Sequence, residues 1–216
     1  MTKIEYVYFI RNSLQMGDKT QRFHREQVKA ALNLAINTVF YEMYAKNPKV
    51  MAKSLERYTT EEYIVPAVGV GYTRYRKVVS YDIVDLPRKT GGVFGIQSHS
   101  AGVPGQRNTT TTNFVPVSGM EGEQLYGSES YLPGNVIGFS WDGARTIEFW
   151  GSAVATILPN GVHVRYIKQF NGYADTDNVV LPYGQDERII ELVRQYLGVT
   201  PPKNLVNDNA DTNING

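Results

Sequence analysis

The first fifty-five residues carry apolar side chains at helical spacing. Steps of three and four place one set on a single helix face: Ile4, Val7, Ile10 and Leu14. A longer set follows the same rule: Val28, Leu32, Ala35, Val39 and Met43. Because a helix brings such positions onto one face, we predict helices over 3–15 and between His24 and Asn47. Pro48 suits the first position of a short third helix that runs through Leu55.

A capping signal marks the start of the second helix. With His24 as the N-cap residue, Phe23 and Val28 take the two positions of a hydrophobic staple. Glu26 falls in the first turn, where the helix dipole favours a carboxylate. The local sequence therefore defines this helix start without help from the rest of the chain.

A last helix is predicted near the C-terminus, over Asp186–Leu197. Gly198 stands where a left-handed residue ends a helix, and Pro201-Pro202 prevents its continuation. The first two helices leave apolar faces that need a third partner, which this helix supplies. We therefore expect residues 1–57 and 184–200 to form one helical bundle.

Residues 58–183 are rich in Val, Thr, Tyr, Gly and Pro, which is typical of β structure. The runs that predict strands are 63–70, 72–83, 93–97, 136–141, 145–150, 153–158 and 162–170. Asp142-Gly143-Ala144 and Pro159-Asn160-Gly161 predict two hairpin turns, and so a meander. The predicted fold class is α+β, a helical bundle from both chain ends with an inserted antiparallel β-rich module.

Two polar stretches lack apolar periodicity. Residues 99–133 are rich in Gly, Ser, Thr and Asn, and residues 201–216 form an asparagine-rich tail. A loop this long is uncommon in a compact domain unless it serves binding. We expect 99–133 to be a loop of the β-rich module and 201–216 to be an extended tail, both of which become ordered on binding neighbours.

The composition of the chain excludes several classes of function and of binding site. The chain has 216 residues, a formal net charge of +1, no cysteine and three histidines. It is too neutral for a protein that mainly coats nucleic acid, and it can form neither a disulfide framework nor a cysteine-ligated metal site. We expect no membrane contact, because no apolar run is long enough to span a bilayer and the start does not resemble a signal peptide.

Charge is unevenly distributed along the chain. Residues 1–90 hold 15 Lys and Arg against nine Asp and Glu, whereas residues 91–216 hold seven against 12. Chance or pairing within the molecule is one explanation. The other is a molecule with a basic and an acidic end, a shape that favours head-to-tail contacts and rings.

Residues with reactive side chains do not form a recognisable motif. His24, His99 and His163 fall on three different predicted elements, so we predict no catalytic residue, no metal site and no cofactor. The segment 175–178, Asp-Thr-Asp-Asn, resembles half of a calcium loop. A turn capped by Asx side chains is the alternative, and cation binding by Asp175 and Asp177 stays open.

The order of these segments resembles that of bacteriophage neck proteins. The stretches that carry the resemblance are FHREQVKAALNLAINTVFYEMY, YDIVDLP, TIEFWG, VHVRYIKQFNGYADTDNVVLP and DERIIELVRQYLGVTPP, followed by the Asn- and Asp-rich tail. The chain looks like a portal–tail adaptor or ring protein of short-tailed phages, and is most similar to the ring proteins of crAss-like phages of gut Bacteroidetes. The resemblance covers most of the chain and contains no catalytic motif.

The resemblance implies a structural role. Such proteins assemble as twelve-fold rings below the portal and extend the DNA channel toward the tail. The expected partners are other copies of the chain, the portal protein and the next neck or tail ring protein, with passive contact to genomic DNA, in a virion assembled in the host cytoplasm. We expect the loop and the tail to reach other subunits through these residues: Arg107, Asn108, Phe114, Leu125, Tyr126, Leu205, Val206, Asp208 and Asp211.

An alternative function is a carbohydrate- or receptor-binding module of a virion. Trp141 and Trp150 are expected to anchor the β core, but an exposed tryptophan also stacks well on a sugar ring. Glycan binding by the isolated chain would favour this alternative.

Overall fold

Side chains of the helices and of the sheets gather in two hydrophobic cores. The computed structural model describes residues 1–15, 23–46, 48–65, 77–80, 82–88, 90–98, 113–117, 136–142, 146–151, 154 and 161–199. Within these residues the chain has helices and both antiparallel and parallel strand pairs, so the predicted α+β class is confirmed.

The helices begin and end close to the predicted residues. Helix α1 spans Lys3–Gln15, α2 spans Arg25–Lys46, α3 spans Pro48–Leu55 and α4 spans Asp186–Tyr196. Helix α2 contacts the other three helices, and α1 contacts α4. The N- and C-terminal segments of the chain therefore meet in the first core.

The ends of α2 and α4 show how local sequence sets helix boundaries. At the start of α2, the backbone N–H of His24 donates to Oε1 of Gln27 at 3.1 Å, and Phe23 packs against the first core. At the end of α4, Gly198 has a φ of 68°. The N–H of Val199 donates to the carbonyl of Arg194 at 2.8 Å, which is the closing bond of a Schellman motif.

The strands of the described residues form two sheets. They are β1 at Thr60–Ile64, β2 at Lys77–Ser80, β3 at Val93–Ser98, β4 at Asn113–Pro116, β5 at Val136–Asp142, β6 at Thr146–Trp150 and β7 at Val162–Tyr166. One sheet has the order β1-β7-β3, and the other has the order β2-β6-β5-β4. Side chains of both sheets form the second core.

The first predicted hairpin is confirmed and the second is wrong. Strands β5 and β6 pair as antiparallel neighbours around residues 143–145, with Asp142 opposite Thr146. Strand β7, by contrast, pairs with β1 on one side and β3 on the other, so both of its edges are occupied. Of the predicted partner strand 153–158, all residues but Val154 lie outside the described residues. The meander prediction failed because these partners lie far from β7 along the chain.

Strand β4 corrects the prediction that 99–133 is a loop throughout. Asn113–Pro116 pairs in parallel with β5, so the β-rich module is mixed rather than purely antiparallel. The strand is short, and its partner lies some twenty residues further along the chain. A pattern this short and this distant from its partner carries little sequence signal.

Two adjoining segments link the cores. Ile83 points into the second core and Val84 into the first, as neighbouring residues of an extended chain do. The N–H of Val84 donates to the carbonyl of Ile167 at 2.9 Å, and the Gln169 side chain donates to the carbonyl of Ile83 at 2.6 Å. The helices and the sheets are thus joined by backbone pairing between residues 83–84 and 167–169.

Candidate interaction surfaces

Helix α2 carries large apolar side chains outside the side that the first core covers. The residues on its inner side are buried: Val28, Ala31, Leu32, Asn33, Ala35, Ile36, Val39 and Phe40. Its outer side carries the exposed residues Ala30, Leu34 and Tyr41, of which Leu34 is 53% and Tyr41 51% exposed. We call these three residues the α2 stripe.

The middle of α2 has no charged side chain on any side. Residues 30–41 read AALNLAINTVFY, whereas exposed helix faces normally carry charged residues. The half-buried Asn37 and Thr38 lie beside the three exposed residues, so the outer side is uncharged without being wholly apolar. The α2 stripe therefore has the composition of a surface that is covered by another protein element.

Polar and charged groups lie beside and beyond the stripe. Next to it, the hydroxyls of Thr38 and Tyr196 are 2.9 Å apart, which ties α2 to α4. Toward one end of the helix, Arg188 donates to both carboxylate oxygens of Glu42, at 2.7 and 3.2 Å. These hydrogen bonds hold the pKa of Glu42 below its usual 4.5. An uncharged centre with charged groups at its margin is the arrangement found in protein–protein interfaces.

The opposite charges of the two chain ends pair within the molecule. Near the start of α2, Arg25 and Lys29 both form ion pairs with Asp175. The hydrogen bond and charge of Lys29, aided by Arg25, lower the pKa of Asp175. Glu42 and Arg188 form a second pair between the chain ends. Arg25 and Lys29, from the basic part of the chain, therefore pair with Asp175 of the acidic part within one molecule. The Glu42–Arg188 pair has the opposite polarity and does not explain the gradient.

A small polar pocket lies on the outer face of the β1-β7-β3 sheet. Along β7, Val162, Val164 and Tyr166 point into the second core, so His163 and Arg165 point outward. The strand register places Glu61 and Gly95 opposite Arg165 on its two sides. The pocket has a volume of about 140 Å3 and is lined by Glu61, Gly95, Ile96, Gln97, His163 and Arg165.

The polar side chains of the pocket contact one another and a neighbouring carboxylate. Nδ1 of His163 lies 3.3 Å from Oε1 of Glu61, and the His163 and Tyr63 rings are 5.4 Å apart. Nη2 of Arg165 lies 3.8 Å from Oε1 of Glu56, and the Arg165 side chain is 45% exposed. The pocket therefore offers a carboxylate, a guanidinium and an amide to an entering group, and none of its described lining residues is a serine, threonine or cysteine.

Gly95 keeps the floor of this pocket open. Its φ does not lie in the left-handed region, and among the described residues the nearest atom to an added Cβ would be Arg165 Nη2, at 3.9 Å. Neither the backbone nor packing against neighbours requires glycine at this strand position. Glycine inside a strand often marks a place where another group approaches closely.

A tyrosine on a fixed turn is the most exposed of the large apolar side chains that the structure describes. Tyr183 is 90% exposed, next to the buried Pro182. The turn is closed by a 3.3 Å bond from the N–H of Gln185 to the carbonyl of Pro182, and Gly184 takes a φ of 70°. The N–H of Tyr183 donates to the buried Tyr58 hydroxyl at 3.2 Å. The first core thus fixes the turn, while the Tyr183 ring extends into solvent.

Of the interface residues predicted from the sequence, Phe114 lies in the described part of the chain. It is half-buried on β4, packs against the second core and meets the Phe149 ring edge-on at 6.3 Å. Part of its apolar surface therefore stabilises the fold. The remaining predicted residues lie outside the described residues: Arg107, Asn108, Leu125, Tyr126, Leu205, Val206, Asp208 and Asp211.

The segment around Asp175 forms a turn. Oδ2 of Asp177 accepts the N–H of Ala174 at 2.8 Å, and the carbonyl of Ala174 accepts the N–H of Asp177 at 3.0 Å. The Asp175 carboxylate pairs with Arg25 and Lys29. A turn capped by an aspartate side chain is therefore the arrangement found. Among the residues that the structure describes, no three His, Cys, Asp or Glu side chains come close enough to hold a metal ion.

The two tryptophans of the β-rich module differ in how deeply they are buried. Trp150 is 2% exposed and its Nε1 donates to the Ser140 hydroxyl at 3.2 Å, so it cannot stack on a sugar. Trp141 is half-buried, and its ring lies so close to Gly91 that a Cβ there would come within 2.5 Å. The prediction that they anchor the β core is confirmed by the burial of Trp150 and by the packing of Trp141 against the second core.

Comparisons with known proteins add no family. No protein-family model matches the chain, and no curated protein matches its sequence significantly. Within the described ranges, no helix is both long enough and apolar enough to cross a membrane.

Proposed function

We propose that this chain is a virion structural protein that forms an oligomeric ring in the neck of a short-tailed phage, between portal and tail. The ring extends the DNA channel, and its role in genome delivery is structural rather than catalytic. Its partners are other copies of the chain, the portal protein and the next ring protein, and the resemblance of the sequence to phage ring proteins implies a twelve-fold ring.

The α2 stripe is the observation that carries this proposal. The chain leaves one side of the uncharged middle of helix α2 in contact with water, with two large side chains about half exposed. Permanent protein interfaces resemble a hydrophobic core cut in half, and their centres are depleted in charge. A subunit of a permanent ring has such a surface, because it is covered once the ring has formed.

Cryo-electron microscopy of the phage particle tests the proposal. We expect copies of the chain to form a ring at the neck, with the α2 stripe of each copy against a neighbouring protein chain. A particle whose neck lacks this chain would contradict the proposal.

The carbohydrate-binding alternative has less support from the described residues. Burial of Trp150 removes one of its two proposed stacking platforms. Specific glycan binding by the isolated chain, lost in Trp141→Ala and retained in Leu34→Glu, would favour the alternative over the ring.

A further inference from the structure

We propose that Tyr183 of one copy inserts into the Gly95 pocket of an adjacent copy, the pocket being lined by Glu61, Gly95, Ile96, Gln97, His163 and Arg165. This inference rests on the proposed ring and names one of its contacts. The Gly95 pocket would be the binding site for Tyr183, which is the most exposed large apolar side chain of the described residues. Tyr183 would in turn be the group that fills the pocket.

The volume of the pocket fits one aromatic side chain. Small-molecule sites usually enclose about 300–1,000 Å3, whereas a cavity of about 150 Å3 holds a single benzene ring. The Gly95 pocket has about 140 Å3. A single ring therefore matches it better than a cofactor or a metabolite does.

The chemistry of the lining fits a phenol in particular. The Arg165 guanidinium, 45% exposed, can lie against the face of an aromatic ring, as Arg does in cation–π contacts. The Glu61 carboxylate accepts a hydroxyl proton in a hydrogen bond, and the Gln97 amide can donate to or accept from the same hydroxyl. Phenylalanine would use the guanidinium alone, so the lining favours tyrosine.

Tyr183 is prepared for such a contact. Binding costs less when the inserted group is already fixed, because less conformational entropy is lost. The Pro182–Gln185 hydrogen bond and the hydrogen bond to Tyr58 fix its backbone. A Cβ added at Gly184 would meet no atom of the described residues within 4 Å, so the turn projects from this part of the surface. Tyrosine on a rigid turn is a typical anchor residue of an interface.

The contact joins two different patches of identical chains. Each copy offers Tyr183 to one neighbour and receives the tyrosine of another in its own pocket. Such heterologous contacts form rings when the rotation between copies closes. The exposure of Tyr183 excludes its insertion into the pocket of its own chain.

The test uses one variant for each partner of the contact. Tyr183→Ala removes the inserted ring, and Gly95→Val fills the pocket with a residue suited to a strand, with Gly95→Ala as the smaller step. In sedimentation over a concentration series, we expect Tyr183→Ala and Gly95→Val to weaken self-association at least tenfold, with Gly95→Ala and Tyr183→Phe in between. Circular dichroism and thermal melting confirm that each variant folds.

Mixing the two variants provides the decisive result. Tyr183→Ala keeps an open pocket and Gly95→Val keeps its tyrosine, so an equimolar mixture should give heterodimers with one intact contact and no larger species. If both variants associate as strongly as the wild-type chain, the inference is overturned. This holds whether the pocket binds a side chain of another neck protein or a small ligand instead. A mixture that behaves as the average of its parts, or a wild-type chain that is monomeric at every concentration, would also overturn it. A ring seen in particles alongside these results would leave the proposed function standing.

Discussion

The inner and outer sides of helix α2 both carry large apolar side chains, in opposite environments. Inner residues such as Phe40 are fully buried in the first core, whereas Leu34 and Tyr41 on the outer side are about half exposed. No charge distinguishes one side from the other between residues 30 and 41. Folding of one chain therefore buries one side of this helix. The uncharged sequence of the other side is suited to burial against a second protein surface.

The largest expected effect is a difference in folding stability between substitutions at the adjacent aromatic residues Phe40 and Tyr41. Phe40→Ala should lower the free energy of unfolding by about 3–5 kcal/mol, because it leaves a cavity in the first core and removes the edge-on contact with Tyr58 at 5.7 Å. Tyr41→Ala should change it by no more than about 0.5 kcal/mol in dilute solution, as exposed positions do. Urea denaturation of the two variants measures the difference. Similar losses in both would mean that the outer side is not open in the isolated chain.

The next effect concerns association rather than folding. Leu34→Glu should leave the unfolding free energy nearly unchanged but weaken self-association by a factor of about ten or more, since an unpaired charge resists burial in an interface. Val65→Glu is the matched control, because Val65 is 56% exposed and lies beyond the end of β1. Analytical ultracentrifugation measures both. If the two variants associate equally strongly, the α2 stripe is not part of the interface.

The smallest effect concerns the charged end of α2 and depends on pH. The pKa of Glu42 is lower in the folded chain, chiefly because Arg188 donates hydrogen bonds to it. A carboxyl with a lowered pKa stabilises the fold above its unfolded pKa, and this contribution disappears as pH falls through the folded value. Glu42→Gln should therefore cost up to about 1 kcal/mol at pH 7 and progressively less below its usual value of 4.5. Urea denaturation across that range checks it, and a pH-independent difference would show that the Glu42 charge is not responsible.

Local signals in the sequence were sufficient for the helices. The staple around His24 and the left-handed Gly198 gave boundaries that differ from the structure by a residue or less. Each signal acts within one or two turns of the chain, so no distant contact is needed to interpret it.

The sheets and the candidate surfaces depended on distant contacts. Strand β7 pairs with β1, about a hundred residues earlier, and no short pattern encodes that choice. The Gly95 pocket combines residues of three separate strands, so it could not be predicted from the sequence. The α2 stripe, in contrast, could have been found, because a charge-free run over residues 30–41 stands in the sequence beside the core-facing pattern.

Hydroxyl-radical footprinting of Leu34 and Tyr41 tests most directly whether the outer side of α2 is covered in the assembly. In the dilute chain both side chains should react readily, since each is about half exposed. In phage particles we expect both to be protected several-fold, while the buried Phe40 stays unreactive in either state. Equal reactivity of Leu34 and Tyr41 in the free chain and in the particle would contradict the account.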